Sequence, residues 1–234
     1  MKVLVIPDVH LKLWIFDEAD KLIDKYNLDN AIFIGDLVDD WNKQNCIDLY
    51  KETIDRAELF KCMHKDSFFC YGNHEVAYIV NGACSGNSNL FRSEIKYLLN
   101  KYERIVEPKI VHKIDNVIFS HAGIHDLVDV DNRVQQENDK SIVKAYNDMN
   151  SPLWLRPKYL YVYDENYMQV AGHTPVKNIY CENNIWYVDT FSTYPDGSQY
   201  GNQTFMSIDT ISFDVTIYYN NNIVKEIINR KHRR

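Results

Sequence analysis

The sequence predicts an α/β fold with two sheets, on three observations. Five short apolar runs each break off into a polar cluster of one kind: Asp-x-His, Gly-Asp, Gly-Asn-His, His-Ala-Gly and Gly-His-Thr. A stretch with helical spacing separates the first two runs, which is the pattern of a β-α-β unit with parallel strands. Residues 177 to 219 instead alternate apolar and polar positions, as antiparallel strands do.

Taken in order, "KVLVIPD" is a strand ending at Asp8, "WIFDEADKLIDKYN" a helix, and "NAIFIGD" a second strand ending at Asp36. A helix across about 44 to 63 leads to "SFFCYGNHE", a third strand that breaks at Gly72. "NVIFSHAG" and "MQVAGHT" are the fourth and fifth. "IWYVDT", "TFMSID" and "SFDVTIYY" then suggest a second sheet. The segment "NGACSGNSN", 81 to 89, reads as a mobile loop because it is rich in Gly, Ser and Asn. The basic end "KEIINRKHRR" reads as a solvated tail. No linker or composition break divides the chain, so a single domain over 1–224 with a tail at 225–234 is expected.

With 234 residues and 45% hydrophobic content, the chain can bury a sizeable core. A net charge of -7 argues against a surface that holds extended nucleic acid by its phosphates. Cys46, Cys62, Cys70, Cys84 and Cys181 are odd in number and include no Cys-x-x-Cys pair, which leads to the expectation of buried, small apolar thiols in a reducing cytoplasm. The N-terminal apolar run is too short for a signal peptide, and no segment approaches the ~18 apolar residues of a membrane helix. A soluble, cytoplasmic protein without a membrane partner is expected.

Parallel strands bring their carboxyl ends to one edge of a sheet, where open α/β sheets bind ligands. That edge collects Asp8, His10, Asp36, Asp39, Asn73, His74, His121 and His173. Carboxylates and imidazoles with one amide suit Mn, Fe, Zn or Ni, whereas Mg and Ca prefer oxygen alone. The set is large enough for two ions if one carboxylate bridges them, and such ions ~3.5–4 Å apart can hold a shared hydroxide and orient an in-line attack.

"PDVH", "GDLVDD", "GNHE", "SHAG" and "GHTPV", in that order from residue 1 to about 180, resemble the calcineurin-like metallophosphoesterases. The resemblance is to their phosphoprotein phosphatase branch, especially its small bacterial and phage members. It implies a four-layer α-β-β-α sandwich of two mixed sheets, with a dinuclear metal site at the carboxyl ends of the central strands. It also implies that Asp8 and His10 bind one metal, Asp36 bridges, and Asn73, His121 and His173 bind the second. Mn is the first expectation. His74 would be the general acid, oriented by Asp39, with Glu75 in support. Pro175 stands where the diesterase branches often have a further histidine, which favours the phosphatase-like branch.

Two departures stand out. The position of Asp40 and that of Tyr71 usually hold arginines that grip the substrate phosphate in this branch, and a bidentate guanidinium is a strong phosphate ligand. Arg156, in "SPLWLRP", is the candidate surviving arginine, with Arg92 behind it, and His125 is a candidate substrate contact. If the Asp40 carboxylate has no permanent partner and faces the substrate, Asp40→Arg should raise kcat/KM on p-nitrophenyl phosphate at least about tenfold. The leading expectation is a hydrolase of phosphomonoesters, on protein or small molecules, acting through a metal-bridging hydroxide. A nucleotide-directed hydrolase or phosphodiesterase is the alternative, because Tyr71 and Trp41 could stack a base. A non-catalytic scaffold ranks last, since binding alone does not need a general acid.

Overall fold

A computed structural model describes residues 1–125, 127–162 and 164–219, and of residues 227–228 only the backbone. The first sheet begins with β1 (Lys2–Ile6), α1 (Trp14–Tyr26) and β2 (Asn30–Phe33), with β1 and β2 parallel as their β-α-β pattern requires. Helix α2 (Ile47–Met63) leads to β3 (Phe68–Phe69), also parallel to β2 but only two residues long. Two further helices, α3 (Asn73–Ile79) and α4 (Arg92–Val106), precede the second sheet. That sheet holds β4 (Val111–Ile114), β5 (Val117–Ser120) and, after α5 (Val130–Asp139) and α6 (Ile142–Asn147), β6 (Met168–Ala171), β7 (Tyr180–Glu182) and β8 (Ile185–Tyr187). The chain then returns to the first sheet as β9 (Thr204–Asp209), β10 (Val215–Tyr219) and β11 (Ile227–Ile228).

The strand orders are β11-β10-β9-β1-β2-β3 and β4-β5-β6-β8-β7, and both sheets are mixed. Alternation along β1 decides the layers. Leu4 and Ile6 face α1, α2 and α4, while Val3 and Val5 face Phe119, Val170 and Trp186 of the second sheet. The outer face of the second sheet packs Ile118, Ile185 and Tyr187 against residues of α5 and α6 and the segment between α6 and β6. This is the expected α-β-β-α sandwich. Under β2, Phe33 stacks on Phe69 at 4.4 Å and meets Phe60 edge-on at 5.0 Å. Burying each such ring is worth about 1.5–3 kcal/mol, so this cluster anchors the strand whose end carries Asp36.

Three expectations change. Residues 204–219 do not build the second sheet: β9 pairs with β1, antiparallel, with Val3 opposite Ile208. Alternation identifies a strand and its buried face but is silent about its partner. The expected tail is not wholly a tail, since Ile227–Ile228 pair with β10; the remainder of 225–234 lies outside the described residues. Thirdly, residues 81–89 are tied down rather than left loose. The Tyr146 hydroxyl bonds both the N–H and the carbonyl of Ala83, and Arg92 donates to the carbonyls of Ala77 and Gly82. Among the described residues, no helix is long and apolar enough to cross a membrane.

His112, on β4, joins the two sheets: its Nε2 donates to the Phe69 carbonyl at 2.9 Å and its ring packs on Phe68. Burial lowers its pKa from 6.5 to about 4. The unfolded chain therefore takes up a proton that the folded chain refuses between these values, and stability falls as pH drops through that window. His112 should account for about 3 kcal/mol of acid destabilisation. In urea unfolding between pH 7 and pH 4, His112→Gln, which cannot gain that proton, should lose this part of the slope. An unchanged slope would remove His112 from the account.

Candidate functional site

The site is assembled where loops from both sheets meet. Gly72 and Gly172 make the approach feasible: a Cβ on Gly72 would strike Asp36, and one on Gly172 would strike the Asp8 carboxylate. Glu75, in the first turn of α3, accepts from the N–H groups of Asp36, Leu37, Val38 and Gly72, at 2.7–3.1 Å. One buried carboxylate thus fixes the loop after β2 against the start of α3. His10, Asp36, Asp39 and His173 all have positive φ, between 46° and 64°. Non-glycine residues rarely adopt that backbone, and its recurrence here marks loops shaped around a site.

Two groups of side chains converge. Asp8, His10 and Asp36 form one, and Asp36, His121 and His173 the other, the donor atoms of each lying within 4.8 Å of one another. Asn73 joins the second group, its Oδ1 lying 2.8 Å from His121 Nε2. Asp36 belongs to both, as a bridging carboxylate must. His121 Nδ1 donates to the Ile34 carbonyl and His10 Nδ1 to the Asp39 carbonyl, so each imidazole turns Nε2 toward Asp36 Oδ2, at 3.3 and 4.0 Å. Metal-ligating histidines are usually tethered in this way through their other nitrogen.

The electrostatics call for a cation. Asp8, fully buried, has one oxygen with no hydrogen-bond partner, and His173 Nε2 is likewise buried without one. Burial, with Asp189 nearby, pushes the Asp8 carboxyl well above its usual range. For Asp36 burial acts in the same direction, but His121 and His74 outweigh it and hold the carboxyl well below its usual range. Burial keeps His10 and His173 low. It would also lower His121, yet Asp36 raises that imidazole to about 9. The donor set and its unmatched atoms fit divalent metal binding.

His74 lies beside the two groups. Its Nδ1 donates to Asp39 Oδ2 at 2.8 Å and its Nε2 is 3.9 Å from Asp36 Oδ2. Burial alone would lower its pKa; Asp36 and then Asp39 raise it to about 9. Asp39 itself accepts from four side chains, the Tyr50 and Tyr78 hydroxyls on Oδ1 and His74 and Asn87 on Oδ2. A cavity of about 400 Å³ opens above, bordered by His10, Asp36, His74 and His173 below and by Trp41, Trp154, Arg156 and Thr193 around it. Arg156 is exposed and is anchored by Nη1 to the His173 carbonyl and the Thr174 hydroxyl, both at 3.1 Å.

Other expected contacts fare differently. Tyr71 does not border the cavity: its hydroxyl donates to Glu103 on α4 at 2.6 Å. Nor does His125 belong to the described lining. Arg92, the second-choice arginine, is occupied by the loop carbonyls. Asp40 does border the cavity, but it has a permanent partner after all. Lys12 Nζ lies 3.4 Å from its Oδ2, and the Trp41 N–H and the Thr193 hydroxyl also bond it. The negative charge is therefore compensated within the protein.

Several contributors escaped the sequence reading. Lys12, Tyr50, Tyr78 and Asn87 lie in helices and loops where nothing local marks them. Asp189, held by the N–H and hydroxyl of Ser192, had a usable signal, because "IWYVD" is one more apolar strand ending in aspartate.

Residues 1–191 match the pattern of the family described as calcineurin-like phosphoesterase. Among curated protein sequences, none matches. Solved structures show the same fold at low identity. A cold-active protein-tyrosine phosphatase of a psychrophilic Shewanella sp. superposes with a TM-score of 0.62 at 16% identity, over 97% of this chain and 80% of that one. A Saccharomyces cerevisiae protein serine/threonine phosphatase gives 0.54 at 14%, covering 100% and 81%. The Escherichia coli phosphoesterase Yfce gives 0.51 at 13%, covering 97% of each.

Proposed function

Because this chain belongs to the calcineurin-like phosphoesterases, a family of metal-dependent hydrolases, we propose that it hydrolyses phosphomonoesters, on protein or small molecules, at the cavity above Asp36. The observation that carries this reading is the His74–Asp39 pair set beside two ligand groups that share one carboxylate. Asp8, His10 and Asp36 would hold one divalent cation, and Asp36, Asn73, His121 and His173 a second. Cations bound there would supply Lewis acidity toward a phosphoryl oxygen and a nucleophilic water.

The chain's own residues do the rest. Arg156, tethered through Nη1, keeps its other guanidinium N–H groups for the phosphate. Asp39 accepts the Nδ1 proton of His74, which places the second ring proton on Nε2, the nitrogen toward Asp36 and the cavity. From there it can pass to the departing oxygen, the role of a general acid.

Chelator-stripped protein should regain activity with divalent metal, best with Mn²⁺, and elemental analysis should find two ions per chain. Saturation at one ion would remove Asp36 from a bridging role. The substrate panel sets p-nitrophenyl phosphate against its bis ester and a series of nucleotides. Trp41 and Trp154 on the cavity wall favour a second reading, in which a nucleobase stacks there, and a preference for nucleotides over the simple monoester would establish it.

A further inference from the structure

We propose that the loop at residues 81–89 is a clasp that positions the reacting groups, with Asn87 holding Asp39 and Cys84 holding Asn73; this rests on the phosphoesterase reading. Asp39 Oδ1 is fixed from α2 and α3 by Tyr50 and Tyr78, but Oδ2, which steers His74, is shared with Asn87 Nδ2 at 2.6 Å. The Asn87 amide has no freedom to turn away. Its Oδ1 accepts from the Cys84 N–H at 2.6 Å and from Arg92 at 3.4 Å, which leaves Nδ2 aimed at Asp39.

Cys84 acts on the neighbouring residue. Its sulfur accepts from Asn73 Nδ2 at 3.2 Å while its thiol faces the Asn73 carbonyl at 3.4 Å. An amide whose nitrogen is held there presents Oδ1 to His121, where the second ligand group converges. The loop has a firm base, since Ala83 is gripped by Tyr146 of α6 and Gly82 by Arg92. Cys84 borders the cavity and Asn87 does not, but each acts through the residue it holds, Asn73 and Asp39 respectively, so both are positioning residues.

A loop that only stabilised the fold would slow every reaction alike. A clasp separates two effects. Asn87→Ala should lower kcat on phenyl phosphate at least about tenfold more than on p-nitrophenyl phosphate, whose leaving group needs no proton, with Mn²⁺ binding unchanged. Cys84→Ala should raise the Kd of the second Mn²⁺ at least about tenfold, read by calorimetry on stripped protein, and Cys84→Ser, which keeps donor and acceptor, should recover most of it. Equal slowing of both esters by Asn87→Ala, or wild-type Mn²⁺ binding by Cys84→Ala, overturns the clasp. Should an alanine variant fail to fold, Asn87→Ser and Cys84→Val decide by the same readouts. Wild-type protein that binds Mn²⁺ yet hydrolyses neither ester sinks the monoesterase reading alone. The clasp then stands or falls on the Mn²⁺ titrations and on the His74 ring NMR signals, which Asn87→Ala must shift.

Discussion

His74→Asn is expected to lower kcat by about 10²–10⁴-fold while leaving two metal ions bound, the range associated with losing a general acid. The asparagine amide can still donate toward Asp39 Oδ2, so the neighbouring network of Tyr50, Tyr78 and Asn87 keeps its anchor. What disappears is a proton that can be transferred. The loss should therefore scale with the basicity of the leaving oxygen, severe for phenyl phosphate and partly rescued for p-nitrophenyl phosphate. Three measurements are enough: metal content, kcat for both esters, and KM. Unchanged turnover, or a variant that no longer holds metal, would take His74 out of this role. A uniform loss on both esters would point instead to a disturbed Asp36, whose Oδ1 accepts the His74 backbone N–H at 3.0 Å.

Asp40→Arg is expected to destabilise the protein, not to improve it, which reverses the expectation drawn from the motif alone. Lys12 Nζ has two acceptors, the His10 carbonyl at 3.3 Å and Asp40 at 3.4 Å, and its side chain is 11% exposed. Burial lowers the Lys12 pKa, and Asp40 opposes that. Removing one partner of a buried ion pair typically costs about 3–5 kcal/mol, because the other charge stays behind without compensation. A guanidinium in its place adds like-charge repulsion, about 3 kcal/mol at ~6 Å and an effective dielectric of ~20, unless Lys12 gives up its proton. Urea unfolding should show a loss of at least about 3 kcal/mol for Asp40→Arg. Most of it should return when Lys12→Met is added, since the two sites are in contact and couple. A variant as stable as wild type, with higher kcat/KM on p-nitrophenyl phosphate, would restore the view that Asp40 repels substrate.

Asp40 shows where reading from the sequence ran out. Its position in "GDLVDD" is plain, but Lys12 lies 28 residues earlier and Thr193 153 residues later, so no local pattern could reveal that the charge was already matched. Tyr71 failed for a related reason. Its place before "GNHE" suggested the cavity, whereas side chains alternate across an extended segment and this one points at Glu103. The loop at 81–89 was misread from composition, because Gly, Ser and Asn predict freedom only when nothing outside the loop binds it. Here Tyr146 and Arg92 do.

What the sequence determined by itself was the set of strand ends and the chemistry they carry. Apolar runs that stop at Asp, Asn and His are a local property, and parallel strands of one sheet bring such ends to one edge, as β1, β2 and β3 do. That β5 and β6 would carry His121 and His173 to the same place from the second sheet was decided by the tertiary structure. Asp8, His10, Asp36, Asn73, His121 and His173 were legible as such ends, and the structure brings them together around Asp36. Only the tertiary structure decided which sheet β9 and β10 would join, that Asp40 would be neutralised by Lys12, and that Asn87 would share Asp39 with His74. Those outcomes depend on groups far apart in the chain meeting at hydrogen-bonding distance. Periodicity constrains which face of an element is buried; it says nothing about what lies across the interface, and that is where these charges and amides found their partners.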